Sequence, residues 1–129
     1  MSGIGFMVVF VGAGLGACLR WVLALWLNPL LPTLPLGTLA ANLVGGLLIG
    51  IAGACLGPGG LTAPEWRLFA VTGFLGGLTT FSTFSAEVVG LIERQQHAWA
   101  LATASTHLAG SLALTALGLL LGRACMGAR

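Results

Sequence analysis

Four stretches of the chain, 4–27, 36–56, 67–90 and 98–122, are almost unbroken runs of apolar residues. Each is long enough to cross a bilayer as an α-helix, which takes about 20 residues at a rise near 1.5 Å. Turn-forming residues separate them: Asn28-Pro29 and Pro32–Pro35 after the first run, then Gly57–Gly60 with Pro64 after the second. The third break, Glu93-Arg94-Gln95-Gln96-His97, is the one strongly polar cluster in the chain. The first run has no basic residues before it and is too long for a cleaved leader, so it reads as a true span. The pattern predicts an all-α, integral membrane four-helix bundle, with residues 1–129 forming a single membrane domain.

Composition makes lipid the required solvent. Of 129 residues, 57% are hydrophobic and 6% charged, where soluble domains carry roughly 25% charged residues. Mean hydropathy is +1.04. The charged residues are five Arg and three Glu, too few to cover a water-facing surface, and a net charge of +2 gives no footprint for nucleic acid. Trp21, Trp26, Trp66 and Trp99 fall near the ends of runs, as an interfacial aromatic belt requires. Cys18, Cys55 and Cys125 have no ligand spacing and read as small packing residues.

The positions of the arginines bear on orientation. Four spans put Arg67, Arg123 and Arg129 on one face and Arg20 and Arg94 on the other, which barely biases insertion. A chain with so little preference is expected to insert both ways and pair with itself as an antiparallel, dual-topology homodimer. Small residues four apart, Gly12/Gly16, Gly46/Gly50, Gly73/Gly77 and Gly118/Gly122, mark close helix contacts.

The densest chemistry lies in the third run, Gly73-Phe-Leu-Gly-Gly-Leu-Thr-Thr-Phe-Ser-Thr-Phe-Ser85. Paired glycines and five hydroxyl side chains make a poor helix core. A break is expected there, and at membrane depth it is tolerated only where the backbone is buried in protein, lines a cavity or binds an ion. Phe81 and Phe84 share a helical face, and ring edges carry positive charge that attracts a small anion. In the second run Asn42 lies on one stripe with Gly46 and Gly50, either as interhelical glue or as a pore-lining donor. In the fourth, Thr103, His107, Ser111 and Thr115 recur at steps of four and must face the bundle. His107 is either one more hydrogen-bonding group, a positive charge when protonated, or a structural histidine capped by a carbonyl. Arg20 anchors its helix or raises the potential at an anion entry, and Glu87 is expected in a vestibule toward the opposite face.

These residues together resemble the Fluc (CrcB) family of fluoride channels over essentially the whole chain. The matching pieces are Gly12-Ala-Gly-Leu-Gly-Ala-Cys-Leu-Arg20-Trp21, Gly37-Thr38-Leu39 with Asn42 and Gly46, and Gly73-Phe74 through Thr79-Thr80-Phe81-Ser82-Thr83-Phe84. The resemblance implies an antiparallel homodimer with two fluoride pores, a third helix broken at its centre, and export of fluoride across the inner (plasma) membrane of a microbe. It implies a structural Na⁺ held by the carbonyls of Gly76 and Thr79 from both subunits. It further implies that Asn42, Phe81, Phe84, Thr103, His107 and Ser111 line the pores and that Arg20 and Glu87 flank the vestibules. One departure stands out: the family commonly carries a Tyr and Ser residues on the fourth-helix stripe, where this chain has Thr103 and His107.

Other functions fit less well. A proton-coupled multidrug exporter of similar size needs a carboxylate deep in its first span, and 4–27 contains none. A scaffold subunit accounts for the glycine pairs but not for the Thr-Thr-Phe-Ser-Thr-Phe run. No acid–base pair, nucleophile–His arrangement or metal cluster is visible, so an enzyme is not expected.

Overall fold

A computed structural model describes residues 3–56 and 64–127; the turn expected at Gly57–Gly60 and the side assigned to Arg129 lie outside these residues. The described residues form helices and turns, with four helical segments long and apolar enough to cross a membrane. Helix α1 spans Gly3–Leu27. A one-turn 3₁₀ segment, Asn28–Leu30, ends it where Pro29 removes a backbone donor. The Asn28 side chain then accepts from Gly37 N at 2.8 Å, which fastens this turn to the start of α2, Leu36–Cys55.

The third span is composite. It begins as α3, Pro64–Arg67, widens into a π-helical stretch over Leu68–Leu75, and tightens again as α4, Gly76–Leu78. Thr79 (φ −79°, ψ 152°) and Thr80 (φ −151°, ψ 121°) are extended, and α5 follows over Phe81–Glu93. The turn into α6, His97–Gly127, is short and polar. Gln95 takes φ 60°, while Gln95 N donates to Ile92 O and Gln96 N to Leu91 O at 2.9 and 2.8 Å. These are the paired bonds of a Schellman cap, and they fold α6 back antiparallel to α5.

The glycine pairs are divided between two helix pairs. Gly12 and Gly16 of α1 face the backbone of Phe69 and Phe74, and Gly73 and Gly77 face Val9 and Ala13 in return. A Cβ at Gly12 would lie 2.6 Å from Phe69 O, so any larger residue forces the helices apart. The second pair is α2 with α6: Gly46 and Gly50 meet Ser111 and Thr115, while Gly118 meets Leu47. The first half of the third span therefore belongs to α1, whereas α5 packs on α6.

Burial runs against the habit of soluble proteins. The buried apolar core is small, with Ala41, Leu75 and Leu78 at its centre, while Phe6, Phe10, Leu101, Leu108 and Leu120 point outward. Trp21, Trp26, Trp66 and Trp99 are all exposed. Helices that are apolar on all sides suit lipid on their outer faces. Helix α6 runs five residues past the sequence-based end at 122, to Gly127, because its apolar pattern continues to Met126 with only Arg123 intervening.

Candidate functional site

An open cavity of about 670 Å³ lies between α2, the third span and α6. Its wall includes five of the expected pore residues, Asn42, Phe81, Phe84, His107 and Ser111, and both expected carbonyl ligands, Gly76 and Thr79. Thr103, Arg20 and Glu87 lie elsewhere.

The extended pair organises the site. In an uninterrupted helix, Thr80 N would donate to Gly76 O and Thr83 N to Thr79 O. Here Thr80 N donates instead to Asn42 Oδ1 at 2.8 Å, and Thr83 N to the Thr80 hydroxyl at 3.2 Å. Thr80 is thus the N-cap of α5. Its carbonyl accepts from Asn42 Nδ2 at 3.0 Å, so one amide side chain satisfies both polar groups of one backbone residue. The donors that would otherwise cover Gly76 O and Thr79 O are thereby engaged by other partners. Thr79 itself turns inward: its N and Oγ1 both donate to Leu75 O, at 3.0 and 2.8 Å. Its methyl group fills the space that a Cβ at Gly45 would need.

Arg20 does not simply reach for the interface. Its Nε donates to Gly77 O at 3.2 Å, a carbonyl whose helical partner, Phe81 N, lies beyond the extended pair. Arg20 therefore pins the end of α4 as well as carrying its charge.

On the other side of the pair, Phe81 is 79% exposed. Its ring centroid lies 5.5 Å from that of Phe84 at 59°. Phe84 stacks in turn on His107, at 4.7 Å and 27°. His107 is buried, and its Nδ1 lies 3.2 Å from Asn42 Nδ2; its partner is a side-chain amide rather than a capping carbonyl. Ser111, one turn further along α6, is half-buried at the same wall.

Thr38 and Thr103 lie one helical turn before Asn42 and His107 on α2 and α6. Thr103 is fully buried, and its Oγ1 has no hydrogen-bond partner among the described residues. Glu87 Oε1 accepts from the Thr38 hydroxyl at 2.6 Å, and its buried Oε2 has no partner among the described residues. Thr38 and Thr80 stand in the motifs of the sequence without a role assigned to either. Thr38 was open to detection, because it precedes Asn42 by four on the same α2 stripe. No group of three His, Cys, Asp or Glu side chains poised for a metal is present among the described residues.

Comparison with known proteins follows the same lines. Residues 7–119 match the family described as CrcB-like protein, Camphor Resistance (CrcB). Two relatives, from Burkholderia lata and Burkholderia cenocepacia, are each 57% identical over 122 residues, or 95% of both chains. A third, from Burkholderia pseudomallei, is 57% identical over 118 residues, or 92% of both. All three carry the name fluoride-specific ion channel FluC.

Proposed function

The chain belongs to the CrcB-like family, and from that premise we propose that it is a fluoride-specific ion channel of the inner membrane, exporting fluoride down its electrochemical gradient. It is a multi-pass membrane protein. The observation that carries the reading is the Asn42–Thr80 pairing at the extended residues, set beside Phe81 and Phe84 in the middle of an apolar span. The relatives' name supplies the anion; this geometry supplies a mechanism.

In that mechanism the third span works as a broken helix. The break frees backbone groups without any charged side chain, and the two phenylalanines turn ring edges toward a small anion. Dehydrated fluoride then passes donors on α6 in sequence: Ser111, His107 and Thr103. Selectivity over cations follows from the absence of a carboxylate on this track until Glu87, whose Oε1 is already engaged by Thr38.

Two copies pair antiparallel, each completing the other's open cavity, so that the dimer carries two pores. The exposure of Phe81 supports this, since an uncovered ring beside a polar cluster suits a partner better than lipid. The carbonyls of Gly76 and Thr79 fit a structural Na⁺ on the dimer axis: their usual helical donors are engaged elsewhere, and a Cβ at Gly76 would meet only Val71 O, at 3.8 Å. Hard carbonyl oxygens suit a hard monovalent cation. When bound, it supplies positive charge that holds the facing carbonyls together.

The test is efflux from liposomes reconstituted with the purified chain, followed by a fluoride electrode and repeated for chloride. Fast fluoride efflux that requires a charge-balancing ionophore, without comparable chloride efflux, is the expected result. Silence toward both ions from verified dimers would refute the channel.

A further inference from the structure

The hydrogen-bonding roles at the Asn42–His107 contact are fixed by the backbone of Thr80. Thr80 N donates to Asn42 Oδ1, so that atom is the oxygen end of the amide. Asn42 Nδ2 donates to Thr80 O. Turning the amide over would set oxygen against oxygen and N–H against N–H, so Thr80 determines the orientation without reference to His107. An amide nitrogen has no lone pair to accept with. At the 3.2 Å contact between Asn42 Nδ2 and His107 Nδ1, the histidine must therefore be the acceptor. A neutral imidazole with a bare Nδ1 carries its proton on Nε2.

Among the described residues, that Nε2–H has nothing to donate to. His107 is 4% exposed, and its Nε2 is buried without a hydrogen-bond partner. Buried donors in native proteins are paired, so one left open calls for a partner from outside the chain. The Asn42 amide, by contrast, has spent both of its hydrogens, one on Thr80 O and one on His107. It has none left for an anion.

We infer that Asn42 is a positioning residue that locks His107 in the Nε2–H tautomer, and that this buried Nε2–H is the donor offered to the permeating anion. The inference rests on the fluoride-channel reading and refines it. An N–H meeting fluoride forms a charge-assisted hydrogen bond, whereas the opposite tautomer would turn a lone pair toward the anion. Asn42 thus decides the sign of what the anion meets. Thr103, four residues back on the same face of α6, carries the next buried and unpartnered hydroxyl and can receive the ion in turn.

Nitrogen-15 NMR of the full-length protein in lipid bilayers reads the tautomer directly, with His97→Gln used to assign the two histidines. The expected result is a single Nε2–H form at His107, with an Nε2 resonance that moves on adding potassium fluoride but not potassium chloride. Asn42→Asp places acceptor oxygens against Nδ1. It should reverse the tautomer and lower fluoride efflux from liposomes at least about tenfold, the scale of one lost charge-assisted bond. His107→Asn, with a nitrogen near the Nδ1 position alone, should fall about tenfold further than His107→Gln, which restores one near Nε2. An Nδ1–H or mixed population in the wild-type protein would overturn the lock. An Nε2 resonance indifferent to fluoride would overturn the donor role. A wild-type protein that keeps the Nε2–H tautomer yet passes no fluoride would overturn the channel function and uphold the lock.

Discussion

Replacing Asn42 with alanine removes three hydrogen bonds at once: two to the backbone of Thr80 and one to His107. Side-chain bonds between transmembrane helices average about 0.6 kcal/mol and reach about 1.7, so the three set a floor near 2 kcal/mol. Two of the partners are main-chain groups of an extended, half-buried residue in the middle of an apolar span. Leaving such a group unpaired costs about 1–3 kcal/mol. Asn42→Ala should therefore destabilise the fold by about 2–5 kcal/mol on these magnitudes. His107→Phe preserves an aromatic ring against Phe84 and loses a single bond, worth about 1 kcal/mol. The assay is reversible unfolding in mixed detergent micelles, with amide hydrogen exchange at Thr80 as a local readout. Exchange at Thr80 should quicken in Asn42→Ala and hardly change in His107→Phe. If Asn42→Ala unfolds like the wild type, or ranks below His107→Phe, the bidentate pairing does not hold the extended segment.

Other expectations follow from separate parts of the molecule. Phe81→Ile and Phe84→Ile should each lower fluoride efflux while dimers still form, as read by crosslinking; unchanged efflux in both would remove the ring edges from the mechanism. Gly118→Val should prevent assembly of α2 against α6, since a Cβ there overlaps Leu47 O, whereas Gly53→Ala, with nothing within 4 Å, should leave expression and melting unchanged. Gln95→Gly should raise stability by up to about 1 kcal/mol by relieving a left-handed residue, at φ 60° in the α5–α6 turn; a lower midpoint would show that the Gln95 side chain, bonded to His97, outweighs the strain. Dialysis into a sodium-free medium with a bulky organic cation should loosen the dimer and slow efflux, and restored sodium should reverse both.

Some of this was legible in the sequence, and the rest depended on partners that a linear pattern does not name. Unbroken apolar runs located four helices because lipid tolerates little else. The glycines at steps of four marked close contacts, but only packing showed that Gly12 and Gly16 meet the third span while Gly46 and Gly50 meet α6. The residues 73–85 stood out for low helix propensity, yet nothing in them announces the π-helical turns of Leu68–Leu75, which depend on how that stretch seats against α1. Asn42 was left between glue and donor; its bonds to Thr80 arise across 38 residues. Arg20, left between a helix anchor and a charge at an anion entry, has its Nε on Gly77 O, the carbonyl that the extended pair deprives of its helical donor. Glu87, expected in a vestibule, accepts from the Thr38 hydroxyl, a partner 49 residues away that no local pattern names.

An interruption in a helix always makes two ends, and the ends are opposite in sign. The segment running down to Leu78 finishes with carbonyls, and α5 begins at Phe81 with amides. Helix macrodipoles place about half a negative charge at the first and half a positive charge at the second. Two extended residues separate these poles, so a place that attracts a cation and a place that attracts an anion become obligatory neighbours. In the proposed channel, attraction for both ions is then one property of the backbone. In a chain with 6% charged residues, that is an economical way to build an electric field inside lipid.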